Sequence, residues 1–192
     1  MRSLSLLILA GLLSACGTDA RSAQRYSLDI PDGWRSWSGP ADPLVPGEVL
    51  EAHELPVPSG LASLVVFRSL YRPATTAAQL LIETRYLLLN LPSLEIQSER
   101  QIDVRGHAGG HRAVLIEATA TGTGNALSPT GTGKPVQPSG EPQIPTRRIW
   151  VRVPRGPTGG TLEFFFHCPE DEYKNLTPVW AAILDSLQCM EG

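Results

Sequence analysis

The stretch LEFFFH at residues 162–167 carries apolar side chains on both faces of an extended chain. Successive side chains of a β-strand point to opposite faces, so Leu162, Phe164 and Phe166 share one face. Phe165 lies on the other face. A strand that is apolar on both sides belongs in the middle of a sheet, where both faces are covered. This stretch therefore predicts a sheet that is packed on each side.

Other strands are predicted by runs in which apolar residues alternate with polar ones or fill both faces. These runs lie at residues 26–30, 48–55, 61–70, 94–104, 111–121 and 148–153. The sequence PVPSG at 56–60 is too rich in proline to pair, which predicts an unpaired loop between two of them. The connections are hairpin-like, so we expect a mainly antiparallel sheet.

Two helices are predicted by apolar residues at helical spacing. Thr76 can cap the first, with Gln79 three residues later, and Pro92 should end it near Asn90. Its apolar face comprises Leu80, Thr84, Leu87, Leu88 and Leu91.

For the second helix, Thr177 is the expected cap and Pro178 the first helical residue. Its apolar stripe comprises Trp180, Ile183, Leu184 and Leu187. The order of strands, helix, strands and helix predicts an α+β domain with a mainly antiparallel sheet flanked by helices.

An export signal opens the chain. Arg2 is followed by an apolar run at residues 4–12 and then by Leu13-Ser-Ala-Cys16. The run is too short for a membrane span, which needs about 20 apolar residues. Its end resembles the bacterial lipobox, in which the Cys takes a diacylglycerol and becomes the new N-terminus. We expect residues 1–15 to be a lipoprotein signal peptide and Cys16 to be lipidated.

Residues 17–25 form a polar tether that spans at most about 30 Å when fully extended. Acyl chains on Cys16 would therefore hold the folded domain close to a membrane of the cell envelope. Gly17 differs from the Asp that resembles an inner-membrane retention signal. In a Gram-negative cell we expect the outer membrane, with the domain facing the periplasm.

The rest of the chain has the length of one domain. Cleavage after residue 15 of 192 leaves 177 residues, and we place a single α+β domain at 26–190. The net charge of −3 gives no electrostatic footprint for nucleic acid. Residues 122–145 hold five Gly and five Pro and few apolar residues, which predicts a long loop without regular structure.

The pair Cys168 and Cys189 remains once Cys16 is lipidated, in a compartment that permits disulfides. A continuous helix over 170–188 would hold its ends about 27 Å apart and prevent a bond. A helix that begins at Thr177 lets residues 169–176 fold back. On that basis we predict a Cys168–Cys189 disulfide.

Four pieces of the chain together resemble the PsbP/Mog-like family. They are Ile30-Pro-Asp-Gly-Trp34, the helix at 76–90, Val104-Arg-Gly-His-Ala108, and the closing strand, turn and helix at 164–187. The resemblance covers nearly all of residues 26–189. It implies an antiparallel sheet flanked by helices, as an α/β sandwich, and a family of non-enzymatic lipoproteins, photosystem accessory proteins and secretion adaptors. No shared catalytic residues come with it.

Catalytic and metal-binding patterns in the sequence are absent or incomplete. His107 and His111 stand four apart across two glycines, with no Cys or carboxylate beside them to complete a metal shell. The sequence GTGK at 131–134 lacks the first Gly and the final Ser or Thr of a phosphate loop, and no Gly-x-Ser-x-Gly elbow occurs. We expect no catalytic residues, no bound metal and no cofactor.

A basic strip with one aromatic residue is predicted on the strand at 148–153, where Arg148, Trp150 and Arg152 share a face. One interpretation is a solvated face whose arginines pair with strand carboxylates, such as Glu51, Glu54, Glu117 and Glu163. The other is a surface for a partner or an anionic ligand, because Arg and Trp are enriched at interfaces. Trp37 is a further candidate binding platform, whereas the resemblance places Trp34 in the core.

Three function classes remain open. The first is a non-catalytic interaction or accessory module that is anchored to the membrane and binds an unknown envelope protein. The second is a carrier of a small ligand or sugar, with a pocket between sheet and helix. The third is an envelope enzyme, for which no constellation of suitable residues is present.

Replacing Cys16 by Ala should abolish lipid attachment, because the acyl chains are carried by its sulfur. Metabolic labelling with a fatty-acid analogue, followed by membrane fractionation, should show label in the wild type and an unlabelled, unprocessed or soluble Cys16→Ala protein. A Cys168→Ala control should label like the wild type. Label that persists in Cys16→Ala would contradict the lipobox.

Overall fold

The computed structural model describes residues 26–37, 47–69, 76–89, 94–106, 110–121, 145–154 and 160–189. The strands are β1 Tyr26–Ser27, β2 Arg35–Ser36, β3 Gly47–Val57, β4 Gly60–Ser69, β5 Leu94–Gly106, β6 His111–Ala120, β7 Thr146–Pro154, β8 Thr161–Pro169 and β9 Gln188–Cys189. The helices are α1 Ala77–Leu89 and α2 Tyr173–Ser186, the second preceded by a 3₁₀ turn at Glu170–Glu172. The predicted signal peptide, Cys16, the tether and the predicted loop at 122–145, apart from its last residue, lie outside these ranges.

The nine described strands form one sheet in the order β1-β9-β5-β6-β7-β8-β4-β3-β2. Every neighbouring pair runs antiparallel except β5 and β9, which are parallel. The long strands pair mostly with their neighbours in sequence, because short connections favour antiparallel hairpins. The prediction of an α+β fold with a mainly antiparallel sheet is confirmed.

The stretch that is apolar on both faces lies in β8, between β7 and β4. Phe164 and Phe166 belong to a core cluster on one face of the sheet, whereas Phe165 belongs to a second cluster on the other. The neighbouring strand β7 alternates in the same way, with Val151 in the first cluster and Trp150 in the second. The sheet is therefore packed on both sides, as the sequence predicted.

The sheet curls strongly, so that strands far apart in its order come together. The Tyr26 hydroxyl on β1 donates a 2.8 Å hydrogen bond to Glu51 Oε1 on β3. The Tyr26 ring also meets the Phe164 ring edge-on, with centroids 5.7 Å apart. Register shifts in β3 and β5 mark bulges, which increase local twist. The face that carries Tyr26 and Phe164 is thus the concave face.

The concave face is closed by α2 and by the segment between β1 and β2. Leu176, Trp180 and Ile183 of α2 are buried there, and the Trp180 ring stacks on Phe166 with centroids 5.0 Å apart. Trp34 packs on the same Phe166 ring at 6.2 Å. This placement puts Trp34 against the core, as the resemblance implied.

The convex face is covered by α1, which packs across β5, β6 and β7. Its buried residues are Ala77, Leu80, Thr84 and Leu88. The predicted cap is formed, because the Gln79 backbone N–H donates to Thr76 Oγ1 at 3.2 Å. The helix is therefore fixed at its start by a capping hydrogen bond and along its length by burial.

One local prediction that fails concerns the turn between β3 and β4. Residues 56–60 do not form an unpaired loop, because β3 continues through Pro56 and Val57 pairs with Gly60. Proline is tolerated there because β2 pairs with His53 and Glu54 and does not extend opposite Pro56. Gly60 has a φ of 144°, which residues with a side chain rarely adopt.

The start of the last helix was also predicted incorrectly. Helix α2 begins at Tyr173 and contains Pro178 in its interior. Pro178 has no N–H to donate to the Lys174 carbonyl, so one helical hydrogen bond is lost. Thr177 does not cap the helix, because its hydroxyl donates to the Tyr173 carbonyl at 2.8 Å. The burial of the apolar face of α2 outweighs the missing bond.

Candidate functional site

The predicted basic strip of Arg148, Trp150 and Arg152 is not an exposed surface. Trp150 is 1% exposed and Arg152 is 2% exposed, because the strip lies on the convex face under α1. The three residues do share one face of β7, as predicted, but β7 lies near the centre of the sheet, where both faces are covered. The prediction of a partner surface on these three residues is therefore corrected.

Arg152 is neutralised inside the protein. Its Nε lies 3.0 Å from Glu163 Oε2 on β8, and both side chains are almost fully buried. The contact is an ion pair rather than a well-aligned hydrogen bond. Arg152 also donates to Thr84 Oγ1 of α1 at 2.5 Å, and the Thr84 hydroxyl donates to the Leu80 carbonyl at 2.6 Å. This network joins α1 to the centre of the sheet, and it confirms a pairing of a strip arginine with a strand carboxylate.

Arg148 is the member of the strip that stays partly exposed. On β8 it faces His167, and on β6 it faces Ala118. Burial lowers the pKa of Arg148, although a guanidinium remains charged at neutral pH. No carboxylate among the described residues lies within ion-pair distance of it.

His167 is held in its neutral form beside this cation. Burial, and then the charge of Arg148, lower the pKa of His167 from 6.5 to about 4. The unfolded chain therefore binds a proton more readily, and stability falls as the pH drops from 6.5 towards 4. At neutral pH Arg148 supplies the positive charge at this end of the convex face, and His167 supplies a polar ring.

The outer face of α1 carries three large exposed apolar side chains. Ile82, Tyr86 and Leu89 are 72%, 71% and 68% exposed, and their spacing of four and three places them on one stripe. The stripe lies opposite the buried face of the helix. This stripe was not predicted. The signal was present, because the outer side of an amphipathic helix is normally polar and here it carries three large apolar residues.

A second polar cluster joins α2 to the concave end of the sheet. Arg147 makes a two-pronged contact with Glu170, at 3.0 and 2.6 Å, and lies 4.4 Å above the centroid of the Tyr173 ring. Burial and then the charge of Glu117, whose Oε2 accepts the Tyr173 hydroxyl at 3.1 Å, raise the pKa of Tyr173. Desolvation lowers the pKa of Arg147, but Glu170 and its neighbours more than compensate and raise it overall. The groups satisfy one another, which indicates a structural role.

A third cluster lies where the curled sheet closes. His53 Nε2 is 3.3 Å from Glu51 Oε2, and the other oxygen of Glu51 accepts the Tyr26 hydroxyl. His53 is 7% exposed. A His and a carboxylate in contact are typical of acid–base sites, but here the third member is Tyr26, which is fully buried in the core and out of reach of a substrate. The cluster ties β1 to β3.

The predicted disulfide between Cys168 and Cys189 is not formed. Both residues are fully buried in the concave core, and the 14 residues of α2 separate them in sequence. A helix of that length is about 21 Å long, so the chain cannot fold back between them as predicted. Burial, and then Glu170, raise the pKa of the Cys168 thiol to about 12, which leaves it unreactive.

His111 begins β6, and His107 lies outside the described ranges. Within those ranges no three His, Cys, Asp or Glu side chains come together as a metal site requires. Trp37 is partly buried against the convex core, and its backbone N–H donates to the Ala52 carbonyl at 2.9 Å. None of the helices in the described part of the chain is long and apolar enough to cross a membrane.

These features define a class of protein: a curled, mainly antiparallel sheet with one helix packed on each face, and an apolar stripe on the outer side of one helix. No protein-family model and no curated protein matches the chain. Solved structures do resemble it in fold.

LpqN of Mycobacterium tuberculosis, described as involved in cell envelope biogenesis, shares 15% identity with a TM-score of 0.55 over 85% of this chain and 82% of its own. PA94 of Pseudomonas aeruginosa, a protein of unknown function described as a candidate regulator, shares 16% identity with a TM-score of 0.52 over 84% and 95%. Cyanobacterial PsbP from Synechocystis sp. PCC 6803 shares 10% identity with a TM-score of 0.47 over 88% of each chain. At these identities the likeness shows the fold alone. A PsbP protein is among the similar structures, as the resemblance implied.

Removing one partner of the buried ion pair should cost more stability than removing both. Arg152→Met removes the cation beside the buried Glu163 carboxyl group, which should lower the free energy of unfolding by about 3–5 kcal/mol. The double variant Arg152→Met/Glu163→Leu should recover most of this loss. Urea denaturation followed by circular dichroism measures the three proteins.

The matched control for this prediction is Arg100→Met, because Arg100 is 61% exposed and lies 3.9 Å from Glu117. Its loss should be below about 1 kcal/mol. If Arg152→Met loses no more stability than Arg100→Met, the buried network does not hold α1 on the sheet.

Proposed function

We propose that the protein is a membrane-anchored lipoprotein of the cell envelope that acts as a non-catalytic interaction module. The observation that carries the proposal is the exposed stripe of Ile82, Tyr86 and Leu89 on α1. The lipobox at Cys16 supports an anchor, and the fold shared with an envelope protein, LpqN, supports the location. The polar clusters around Arg147, Glu51 and Arg152 each join structural elements of the fold, which favours a binding role over catalysis.

The stripe has the character of a protein-binding surface. Large apolar side chains on one exposed helix face favour burial, and contiguous patches of this kind mark interaction sites. Tyr is among the residues that contribute most to binding energy at interfaces, and an aromatic residue between two aliphatic ones is a common anchor. A helix with one face on its own core and the other on a partner would also explain why α1 is apolar on both sides.

The charges around the stripe favour a protein partner over a lipid surface. Glu83 flanks the stripe on one side, and on the other Arg85 is paired with Glu99 at 3.4 Å. Anionic membrane surfaces attract clusters of Lys and Arg. Helix α1 carries no such cluster. The partner should therefore be an envelope protein with an apolar patch and a basic group that faces Glu83.

A small-ligand carrier is the second candidate function. The observation in its favour is a cavity of about 520 Å³ at the end of β5, whose polar lining includes Asp103, Arg105 and Gln188. The carrier function is the weaker candidate, because the cavity lies at the edge of the sheet and not between the sheet and a helix. Asp103 is also already paired with Arg112, at 3.2 Å.

Photo-crosslinking in intact cells tests the interaction module. A photoreactive amino acid at position 86 of the full-length chain should capture a discrete envelope protein. The same group at position 61 is the control, because Leu61 is an exposed apolar residue, 50% exposed, on β4. Ile82→Ser/Leu89→Ser should abolish capture from position 86 and weaken binding of the purified partner at least about 10-fold.

Two results would contradict this proposal. One is capture of the same protein with equal yield from positions 61 and 86. The other is a cross-link from position 86 to lipid, which would make the stripe a membrane contact.

A further inference from the structure

Arginine side chains in the described ranges are matched to carboxylates almost throughout. The pairs are Arg35 with Glu54, Arg68 with Glu48, Arg85 with Glu99, Arg100 with Glu117, Arg112 with Asp103, Arg147 with Glu170 and Arg152 with Glu163. Within the same ranges Arg105 and Arg148 have no such partner. Arg105 is exposed and can be solvated, whereas Arg148 is largely buried. Among the described residues, Arg148 is therefore the arginine that is mostly shielded from water and has no carboxylate partner.

The immediate neighbours of Arg148 cannot compensate this charge. Across β6 it faces Ala118, across β8 it faces His167, and along β7 the adjacent residues on its face are Thr146 and Trp150. Its Nε is enclosed and has no hydrogen-bond partner in the described part of the chain, and the same is true of Thr146 Oγ1. Burying polar groups without partners costs free energy, so two such donors on one patch of the sheet indicate a missing acceptor.

The three polar groups share a small area of the convex face. Thr146 and Arg148 are two residues apart on one face of β7, a separation of about 6.6 Å along the strand. His167 stands directly beside Arg148 on β8. The next row of the sheet is apolar, with the Trp150 and Phe165 ring centroids 5.2 Å apart. Low polarity on that side strengthens any ion pair formed with the guanidinium.

We propose that Arg148, Thr146 and His167 form a binding site for a carboxylate group. The planar guanidinium matches a carboxylate with two parallel hydrogen bonds, and the hydroxyl and the imidazole supply further polar contacts. The charge selects the class of anion. His167 is neutral at pH 7, so the site offers one positive charge, which balances a carboxylate but not a phosphate of charge −1.5 to −2.

This site goes beyond the proposed function, because it lies on the sheet and does not use the outer face of α1. The carboxylate belongs either to a small free acid or to an acidic group of a bound protein. The recognition chemistry is the same in both cases, and two arms of the experiment separate them.

Nuclear magnetic resonance of the mature chain in detergent tests the site directly. Benzoate should shift the Arg148 Nε–H and the His167 ring signals, with saturation at millimolar concentration or below. A peptide with a free C-terminal carboxylate, compared with its amide, provides the second arm. Preference for benzoate indicates a free acid, and preference for the peptide over its amide indicates a protein carboxylate; both support the site. Inorganic phosphate should bind more weakly, because bringing an anion of higher charge into a mostly buried site costs more desolvation free energy.

The variants make the outcome decisive. Arg148→Gln should weaken binding at least about 10-fold, Arg148→Lys should recover only part of it, and Arg100→Gln, at an arginine that is 61% exposed, should bind like the wild type. Arg148→Gln removes an uncompensated charge, so its melting temperature should not fall; if it fails to fold, Thr146→Val/His167→Ala replaces it. Binding that is unchanged in Arg148→Gln, or that is equally strong for phosphate, overturns the proposal.

Discussion

A pair of central strands that are buried on both faces is the constraint on which the rest of the structure depends. Phe164 and Phe166 of β8 and Ile149 of β7 are at most 1% exposed on the concave side, and Trp150 is 1% exposed on the convex side. Each such side chain contributes about 1.5–3 kcal/mol when it leaves water. Neither face can remain open, so the chain must supply a cover for each. Helix α2 and the segment that contains Trp34 supply one, and helix α1 supplies the other.

The same constraint decides which polar residues are available for function. A charged side chain buried under α1 needs partners inside the protein. Arg152 has two, the Glu163 carboxylate and the Thr84 hydroxyl. Arg148 lies four residues away on the same strand and has no such partner within the described ranges. Arg152 therefore stabilises the fold, whereas Arg148 is available to bind an anion. Both candidate surfaces, the stripe on α1 and the area around Arg148, lie on the convex side, whereas the concave side is filled by its own core.

Much of the fold could be predicted because it is encoded locally. The two-faced apolar run of β8 and the Thr76 cap each act over a few residues, and the structure confirms them. Tertiary burial decides the rest. Pro178 is accepted inside α2 because the helix buries Trp180 and Ile183, and no local rule anticipates this. The error in the helix start then led to the error in the disulfide.

The basic strip was predicted only in part for the same reason, because burial depends on the tertiary structure. Alternation assigned Arg148, Trp150 and Arg152 to one face correctly, but the number of strands on either side of β7 is a property of the whole chain. A signal was available in Glu163, a carboxylate among Phe residues on a strand predicted to be buried, which calls for a cationic partner. The exposed stripe of α1 was visible as Ile82, Tyr86 and Leu89 at helical spacing. The curl that brings Tyr26 to Glu51 had no signal in the sequence.

The most direct test of the account is whether α1 packs on the convex face over Trp150. Nuclear Overhauser contacts between the Trp150 indole protons and methyl groups on α1 measure this, because they require distances of a few ångströms. We predict strong contacts with leucine methyls of α1, together with slow amide exchange in β7 and β8. A Trp150 ring without contacts to α1 and with a rapidly exchanging indole N–H would show that the strip is exposed, and it would contradict the assignment of Arg152 to the core.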